Sequence, residues 1–247
     1  MLAFADTNNL RTAARNQEKT RMITLAIELS TTHGELALLE DDRVVVEREW
    51  VEDRQHRQQI FADMAALTSA GGLDLGRVDL LAVGVGPGAF SGLRMAVSAM
   101  RAIALPDGKP VFGVASAEAL AWDMMREKET GSVAVFGDAR RDEFWAGRFR
   151  SVQGLACREG EWLVANPGTM QADVAGLGAV WVTADWERMG MRLKEFCPAG
   201  VTLIEEPRWP KARSVGRLAA AKRRAGLESE PLAPVYLHPA VSVLPTF

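Results

Sequence analysis

The order of secondary-structure elements predicted for this chain of 247 residues occurs twice along its length. Alternating and apolar runs predict three antiparallel strands at the start of each half, and strands alternating with helices follow them. In the first half this pattern predicts strands at 23–29, 35–40, 43–50, 80–85 and 110–114, and helices at 55–70, 91–105 and 116–128, the last with Ser116 as its N-cap.

The second half repeats the plan. Its predicted strands are 133–137, 143–149, 161–165, 180–183 and 201–204, and its predicted helices are 166–175, 186–196 and 214–225, before an extended tail at 231–239. The duplicated order is that of an α/β ribonuclease-H-like fold used twice, as in the actin, Hsp70 and sugar kinase superfamily. It predicts two mixed-sheet halves, residues 22–128 and 129–247, around a cleft that the first hairpin turn of each half faces.

The composition excludes several classes of protein. The formal net charge of −3 gives no electrostatic reason to expect tight nucleic-acid binding by this chain alone. No apolar run approaches the roughly 20 residues that a membrane span needs. Cys157 and Cys197 form no CxxC pair, and so few cysteines favour a reducing compartment. We therefore expect a cytoplasmic protein with no disulfide framework and no membrane partner.

The first 21 residues differ from the rest of the chain. They are rich in Asn, Arg and other polar residues, show no strand pattern, and lack the apolar segment of a secretory signal. Met22 directly precedes the first predicted strand. The sequence therefore predicts that residues 1–21 are a disordered or non-native extension.

A glycine-rich loop at 86–94 joins the apolar run at 80–85 to a predicted helix. Its glycines allow backbone angles that a side chain would forbid. A helix that begins at such a loop directs free N–H groups towards whatever lies above it, which is a common way to bind an anion. The loop is therefore a candidate anion site.

The helix after this loop carries no charge between Arg94 and Arg101 and is apolar on two faces. A helix that covers a sheet normally keeps a polar outer face, so one that is apolar nearly all round is expected to be covered on both sides. Together with the helix at 55–70, it predicts a surface for a protein partner. The residues expected to bind that partner are Ile60, Met64, Leu93, Met95, Val97, Ala99, Met100 and Ala102.

Residues that could act in catalysis are sparse. The three histidines, His33, His56 and His238, include no pair at helical spacing, so no metal site is predicted. Ser30, Ser91 and Ser116 occupy turn or cap positions, where hydrogen bonding to the backbone explains them. A peptidase would need a nucleophile and a base, and the sequence offers no such pair.

Five segments, in the right order between Met22 and His238, resemble the TsaB (YeaZ) family. They are residues 23–31, the loop GPGAFSGLR at 86–94, FGVASAEAL at 112–120, DARRDE at 138–143 and PVYL at 234–237. The resemblance implies a subunit that is not itself catalytic. It implies docking of the catalytic paralogue TsaD through first-half helices, work with the ATPase TsaE, and a similar homodimer when the chain is alone. The complex transfers threonylcarbamoyl to the adenosine beside the tRNA anticodon, so tRNA is expected to be met only through the complex.

The same resemblance places two turns at the cleft, and both are candidate contacts for a nucleotide or another anion. Glu28 stands where the family generally has Asp, and the segment 182–186 lacks the glycines found there in many members. No cofactor is therefore expected to be required, although weak binding of ATP or ADP stays open. The candidate residues are Glu28, Ser30, Thr31, Gly86, Gly88, Ser91, Gly92, Arg140 and Arg141.

Two alternatives stay open at this point. Arg140 and Arg141 either contact an anion or pair within the chain with Asp142, Glu143 or Glu28. The chain as a whole is either a scaffold subunit or an independent ATPase or kinase-like enzyme that uses its first turn and the glycine loop.

Overall fold

The most apolar runs of the sequence lie at the centres of two five-stranded sheets. The computed structural model describes residues 21–51, 56–166 and 176–237. The strands are β1 (Ile23–Glu28), β2 (His33–Glu40), β3 (Arg43–Val51), β4 (Leu80–Gly84), β5 (Val111–Val114), β6 (Ser132–Arg140), β7 (Glu143–Val152), β8 (Leu155–Ala165), β9 (Val180–Thr183) and β10 (Thr202–Leu203). The helices are α1 (His56–Ala70), α2 (Phe90–Ala104), α3 (Ser116–Glu127), α4 (Trp186–Phe196) and α5 (Ala212–Arg224).

The two sheets have the same topology. The first has the strand order β3-β2-β1-β4-β5, and the second has the equivalent order β8-β7-β6-β9-β10. In each sheet the first hairpin is antiparallel, and the central strand pairs in parallel with the strand beyond it, β1 with β4 and β6 with β9. The predicted duplicated ribonuclease-H-like fold is therefore confirmed.

The central strands are buried on both faces because helices cover both sides of each sheet. Every residue of β1 and β4 is buried, as expected for strands in the interior of a parallel or mixed sheet. Helices α1 and α2 cover one face of the first sheet, where Met64, Val97 and Met100 join Leu25 and Ile27 in one core cluster.

Helix α5 does not stay with the half in which its sequence lies. Val215 and Leu218 are fully buried against Ala26 and Leu39 of the first sheet, opposite the face that α1 and α2 cover. The predicted division at 128/129 follows the order of the strands, but its assignment of residues 212–224 to the second half is wrong in space. Chain order alone does not say which sheet a helix covers, and here the helix crosses back.

Buried polar contacts hold the start of α5 against the first sheet and against α3. Glu35 accepts a hydrogen bond from the Ala212 N–H at 2.7 Å and pairs with the Lys211 ammonium at 2.7 Å. Ser214 donates its hydroxyl to Asp123 at 2.7 Å. Burial raises the pKa of Glu35, and the bonds to Lys211 and Ala212 oppose that rise. These contacts hold the crossing helix in a fixed register on the sheet.

Most predicted boundaries agree with the structure to within a few residues, but two differ in kind. Strand β8 begins at Leu155 rather than at 161, and it runs through Gly160, whose φ is +74°. Ser116 is not the N-cap of its helix, since Ala115 holds that position and the Ser116 side chain is used elsewhere. Residues 1–20 of the extension predicted at 1–21, residues 167–175 of the helix predicted at 166–175, and His238 lie outside the described residues.

Candidate functional site

The glycine loop is bound tightly to the end of β1. The Ala89 N–H donates to the Ser30 carbonyl at 2.7 Å. A Cβ on Gly88 would lie 2.2 Å from the Ser30 carbonyl oxygen, and one on Gly92 would lie 2.2 Å from the Leu29 carbonyl oxygen. Real Cβ atoms do not approach so closely, so both glycines are required by contact between two backbone segments. The close approach of the strand end below the loop therefore explains why both positions are glycine.

The other end of the loop is held by α3. Gly86 has a φ of +99°, a conformation that suits glycine. Its N–H donates to Ser116 Oγ at 3.0 Å, and its carbonyl accepts from the Ser116 N–H at 2.7 Å. Ser116 therefore fixes the entry to the loop, which explains why its hydroxyl does not cap the helix.

Glu28 lies beneath the loop and out of reach of the cleft. Its side chain is fully buried, and the Ser30 N–H donates to Glu28 Oε1 at 2.6 Å. Burial raises the pKa of Glu28 from 4.5 to about 7, although the hydrogen bonds from Ser30 lower it. The expectation that Glu28 contacts a nucleotide or another anion is wrong, because the strand end and the loop cover its carboxylate.

A cleft of about 630 Å³ separates the two halves, as predicted. Of the nine candidate anion contacts, five line it, namely Ser30, Thr31, Gly88, Ser91 and Arg140. The other four, Glu28, Gly86, Gly92 and Arg141, do not line it. Apolar side chains of both halves form much of the wall, together with the tail residues Val235, Tyr236 and Leu237. The tail returns to the first half through a hydrogen bond from the Val235 N–H to the Val85 carbonyl.

The hairpin turn of the second half is organised around Asp138. The Arg140 and Arg188 guanidiniums both reach Asp138 Oδ2, at 3.1 and 2.8 Å, and the Asp138 N–H donates to Asp185. Partial burial alone would raise the pKa of Asp138, but the Arg140 N–H and the two guanidiniums outweigh it and hold that pKa below its usual value. Arg140 therefore pairs within the chain, but with Asp138 rather than with the predicted acids.

Asp185 is a cleft residue that sequence reasoning missed. It follows β9 and lines the cleft, and burial raises its pKa while the Asp138 N–H opposes the rise. A signal was present, since an acidic residue directly after a buried central strand lies at the carboxyl edge of the sheet, where ligands of α/β folds bind.

The residues predicted to bind a partner are mostly inside the fold. Ile60, Met64, Leu93, Val97, Ala99 and Met100 are each at most 5% exposed, Met95 is half-buried and Ala102 is exposed. Five of these six pack in the core cluster of the first sheet, and Leu93 packs against Gly86 of the loop. Six of the eight therefore cannot form an outer surface. Periodicity identified the buried stripe correctly but could not show that α2 has a more polar outer face, with Arg94, Ser98 and Arg101 exposed.

The outer face of α1 is the part of this region that stays apolar. Between residues 61 and 70 its exposed positions are Phe61, Ala62, Ala65, Ala66, Ser69 and Ala70, so none of them is charged. The Phe61 ring is 53% exposed. Small exposed side chains around one exposed ring leave room for close approach by another surface. Whether a partner binds here stays a prediction.

Residues that could hold a metal or act as a nucleophile do not cluster in the part of the chain that the structure describes. Within residues 21–51, 56–166 and 176–237, no group of three or more His, Cys, Asp or Glu side chains could hold a metal ion. The His33 ring packs on the Trp209 ring, with ring centroids 3.7 Å apart, and its Nδ1 lies 3.4 Å from the Thr32 hydroxyl. The described helices include none long and apolar enough to cross a membrane.

The fold class implies a nucleotide held by the two hairpin turns. The residues of these turns in this chain are poorly suited to holding a nucleotide. The acid of the first turn, Glu28, is buried, and the acid of the second, Asp138, already binds two arginines. The fold and the cleft therefore define a duplicated ribonuclease-H-like protein in which the usual metal-holding acids are engaged within the chain.

Comparison with known proteins agrees with this description. The family described as tRNA N6-adenosine threonylcarbamoyltransferase (TsaD) matches residues 50–161. The Escherichia coli tRNA threonylcarbamoyladenosine biosynthesis protein TsaB is 29% identical over 160 residues, which are 64% of this chain and 69% of that protein. The structure of YeaZ from Pseudomonas aeruginosa is 28% identical, with a TM-score of 0.73, and the match covers 87% of this chain and all of that one.

A second Pseudomonas aeruginosa structure, of a protein described as similar to the peptidase YeaZ, is 30% identical with a TM-score of 0.73. The match covers 88% of this chain and all of that chain. The chain belongs to the TsaB (YeaZ) family, as the five motifs predicted.

Proposed function

We propose that this chain is a non-catalytic subunit of the machinery that installs threonylcarbamoyl on the adenosine next to the tRNA anticodon. Two similarities support the proposal. The chain resembles a protein named for tRNA threonylcarbamoyladenosine biosynthesis, and its match to a YeaZ structure covers the full length of that structure. The engagement of Glu28 and Asp138 within the fold supports a role other than phosphate chemistry. The subunit acts by docking a TsaD-like catalytic paralogue, with a TsaE-like ATPase as the third component.

The docking surface that we propose is the outer face of α1, defined by Phe61, Ala62, Ala65 and Ala66, together with the exposed Ala102 on α2. Its exposed side chains on α1 are apolar or small, and Phe61 supplies the large ring that commonly anchors an interface. The same face can pair with a second copy of the chain when the paralogue is absent. The buried residues Val97 and Ala99 pack the inner face of α2 into the core and do not contact the partner.

Replacing Ala65 with arginine is expected to weaken binding of the catalytic paralogue by at least about tenfold. A charged side chain at the centre of an interface loses its water without gaining a partner. Because Ala65 is exposed, the variant should keep its fold. Co-purification with the tagged paralogue and titration by calorimetry measure the effect.

The matched control is Ala199→Arg, which makes the same change at an exposed alanine of the second half. Binding that is lost in Ala65→Arg and kept in Ala199→Arg supports the proposed surface. If Ala65→Arg and Phe61→Asp both bind the paralogue as the unmodified chain does, docking uses another surface.

A titration of the isolated chain with Mg-ATP is expected to show no saturable binding at micromolar concentrations. The cleft has space for a nucleotide, but Glu28 does not line it and Asp138, which does, is paired with Arg140 and Arg188. The described residues also include no group of three or more side chains that could hold a metal ion. Micromolar binding with steady hydrolysis would instead favour the alternative function, an ATPase or kinase-like enzyme. Calorimetry and a phosphate-release assay read the two properties separately.

A further inference from the structure

Four arginines surround a depression in the second half that the proposed docking role does not use. The depression measures about 310 Å³ and lies between the β6–β7 turn and α4. Phe144 and Met189, both buried, form an apolar part of its lining. We call its basic residues the arginine patch and define it as Arg140, Arg141, Arg188 and Arg192.

Two arginines of the patch are held side by side. Arg140 and Arg188 lie at 3.1 and 2.8 Å from the same oxygen, Asp138 Oδ2, although their side chains are 69% and 61% exposed. The Asp138 carboxylate is itself oriented by the Arg140 N–H at 2.7 Å. Each guanidinium has five N–H donors in a planar fork, so a single carboxylate oxygen leaves several donors directed at solvent.

The other two arginines, Arg141 and Arg192, are exposed on the same depression. The turn that presents Arg141 has an unusual backbone, since Arg140, Arg141 and Asp142 all have positive φ, at 70°, 54° and 58°. Side chains rarely adopt this conformation, which costs energy at each residue and persists only where the surroundings impose it. The strained turn places Arg141, and α4 places Arg192, beside the pair that Asp138 holds.

The charge of the depression has the opposite sign to that of the whole chain. Its lining carries four guanidiniums and three carboxylates, those of Asp138, Asp142 and Glu143, whereas the chain has a formal net charge of −3. All four basic groups are arginines, whose fork matches two oxygens of a phosphate at once. An apolar floor beneath them strengthens charge interactions by excluding water from one side.

We propose that the arginine patch binds the phosphate backbone of RNA. This inference rests on the proposed function, because that function supplies an RNA substrate. The patch belongs to the second half and to α4, whereas the proposed docking surface belongs to α1 and α2 on the first half. A catalytic partner bound to α1 therefore does not need to cover the patch. The contacts are to phosphates, so they position the RNA without reading its sequence.

The test compares two double variants that remove the same charge. Arg141→Ala with Arg192→Ala removes the two patch arginines for which the described part of the chain shows no ion pair. Arg77→Ala with Arg223→Ala removes two exposed arginines elsewhere. Each protein is titrated, alone and mixed with its catalytic paralogue, against a fluorescent unmodified transcript of a tRNA that reads codons beginning with A. Anisotropy is recorded between roughly 50 and 200 mM salt, a range in which phosphate contacts strongly affect affinity.

The patch variant is expected to bind the transcript at least about tenfold more weakly. The slope of log affinity against log salt should also fall by about 1.5, because each lost phosphate contact removes roughly 0.7 to 0.9 from it. The control variant should match the unmodified chain. The proposal is overturned if both variants lose the same affinity for the transcript, or if neither loses any. It is also overturned if the unmodified chain binds no RNA, either alone or mixed with the paralogue.

Co-purification with the paralogue separates this inference from the proposed function. A patch variant that still binds the paralogue but loses RNA supports the patch. If the patch variant loses the paralogue and keeps RNA, the patch is a protein contact and the RNA proposal is wrong. If the unmodified chain fails to bind the paralogue, the proposed function fails, while the RNA titrations of the chain alone still decide the patch.

Discussion

Gly92→Ala is expected to lower the free energy of unfolding by about 3 kcal/mol or more. The new Cβ would lie 2.2 Å from the Leu29 carbonyl oxygen, a backbone atom at the end of a central strand that cannot move aside alone. Overpacking of this kind costs about 1 to 3 kcal/mol and sometimes more. The sign of this change distinguishes the close contact from ordinary helix propensity, since alanine in place of glycine inside a helix normally stabilises by about 1 kcal/mol.

Urea unfolding followed by circular dichroism measures the change, with Gly131→Ala as the matched control. A Cβ on Gly131 would meet no atom within 4 Å, so that variant should stay within about 0.5 kcal/mol of the unmodified chain. Should Gly92→Ala be as stable as the control, the loop does not pack against β1 as described. The glycines at 88 and 92 would then need a ligand to explain them.

Glu28→Gln is expected to remove a pH dependence of stability worth about 2 to 3 kcal/mol between pH 5 and 8. Burial raises the pKa of Glu28 from 4.5 to about 7, so the folded chain holds this proton over a range in which the unfolded chain releases it. Stability therefore falls as pH rises from about 4.5 to about 7, and changes little above that. One unit of pKa corresponds to about 1.4 kcal/mol.

The measurement is the difference in unfolding free energy between Glu28→Gln and the unmodified chain, taken at pH 5 and again at pH 8. The difference should shift in favour of the glutamine variant at pH 8. Contributions from Asp185 and other buried acids that do not interact with Glu28 occur in both proteins and cancel. A difference that is the same at both pH values would show that Glu28 titrates normally and is exposed to water.

The fold was predictable from the sequence because its central elements are strongly patterned. Strand β9 (Val180–Thr183) and helix α4 (Trp186–Phe196) were predicted to the residue, since a short apolar run and a clear amphipathic stretch have sharp ends. The first part of β8 was missed because it lies at a sheet edge, where Arg158, Glu159 and Gly160 interrupt the apolar pattern.

The candidate site was predictable only in part, for a physical reason that differs from residue to residue. Strand ends identify which turns reach the cleft, so Ser30, Thr31 and Arg140 were placed correctly. Periodicity does not reveal what covers an apolar stripe, and Val97 was therefore assigned to a partner although it packs on the chain's own sheet. Local sequence also gives no warning that Glu28 lies under a loop that begins almost sixty residues later.

The return of α5 to the first sheet has a consequence for how the protein is made. Chains emerge from the ribosome at roughly 5 to 20 residues per second, and domains usually fold in the order in which they appear. Here the first sheet lacks one covering layer until residues 212–224 have been synthesised, because Val215 and Leu218 fill that side of its core. The nascent first half must therefore wait, with an apolar face uncovered, for nearly the whole of the second half.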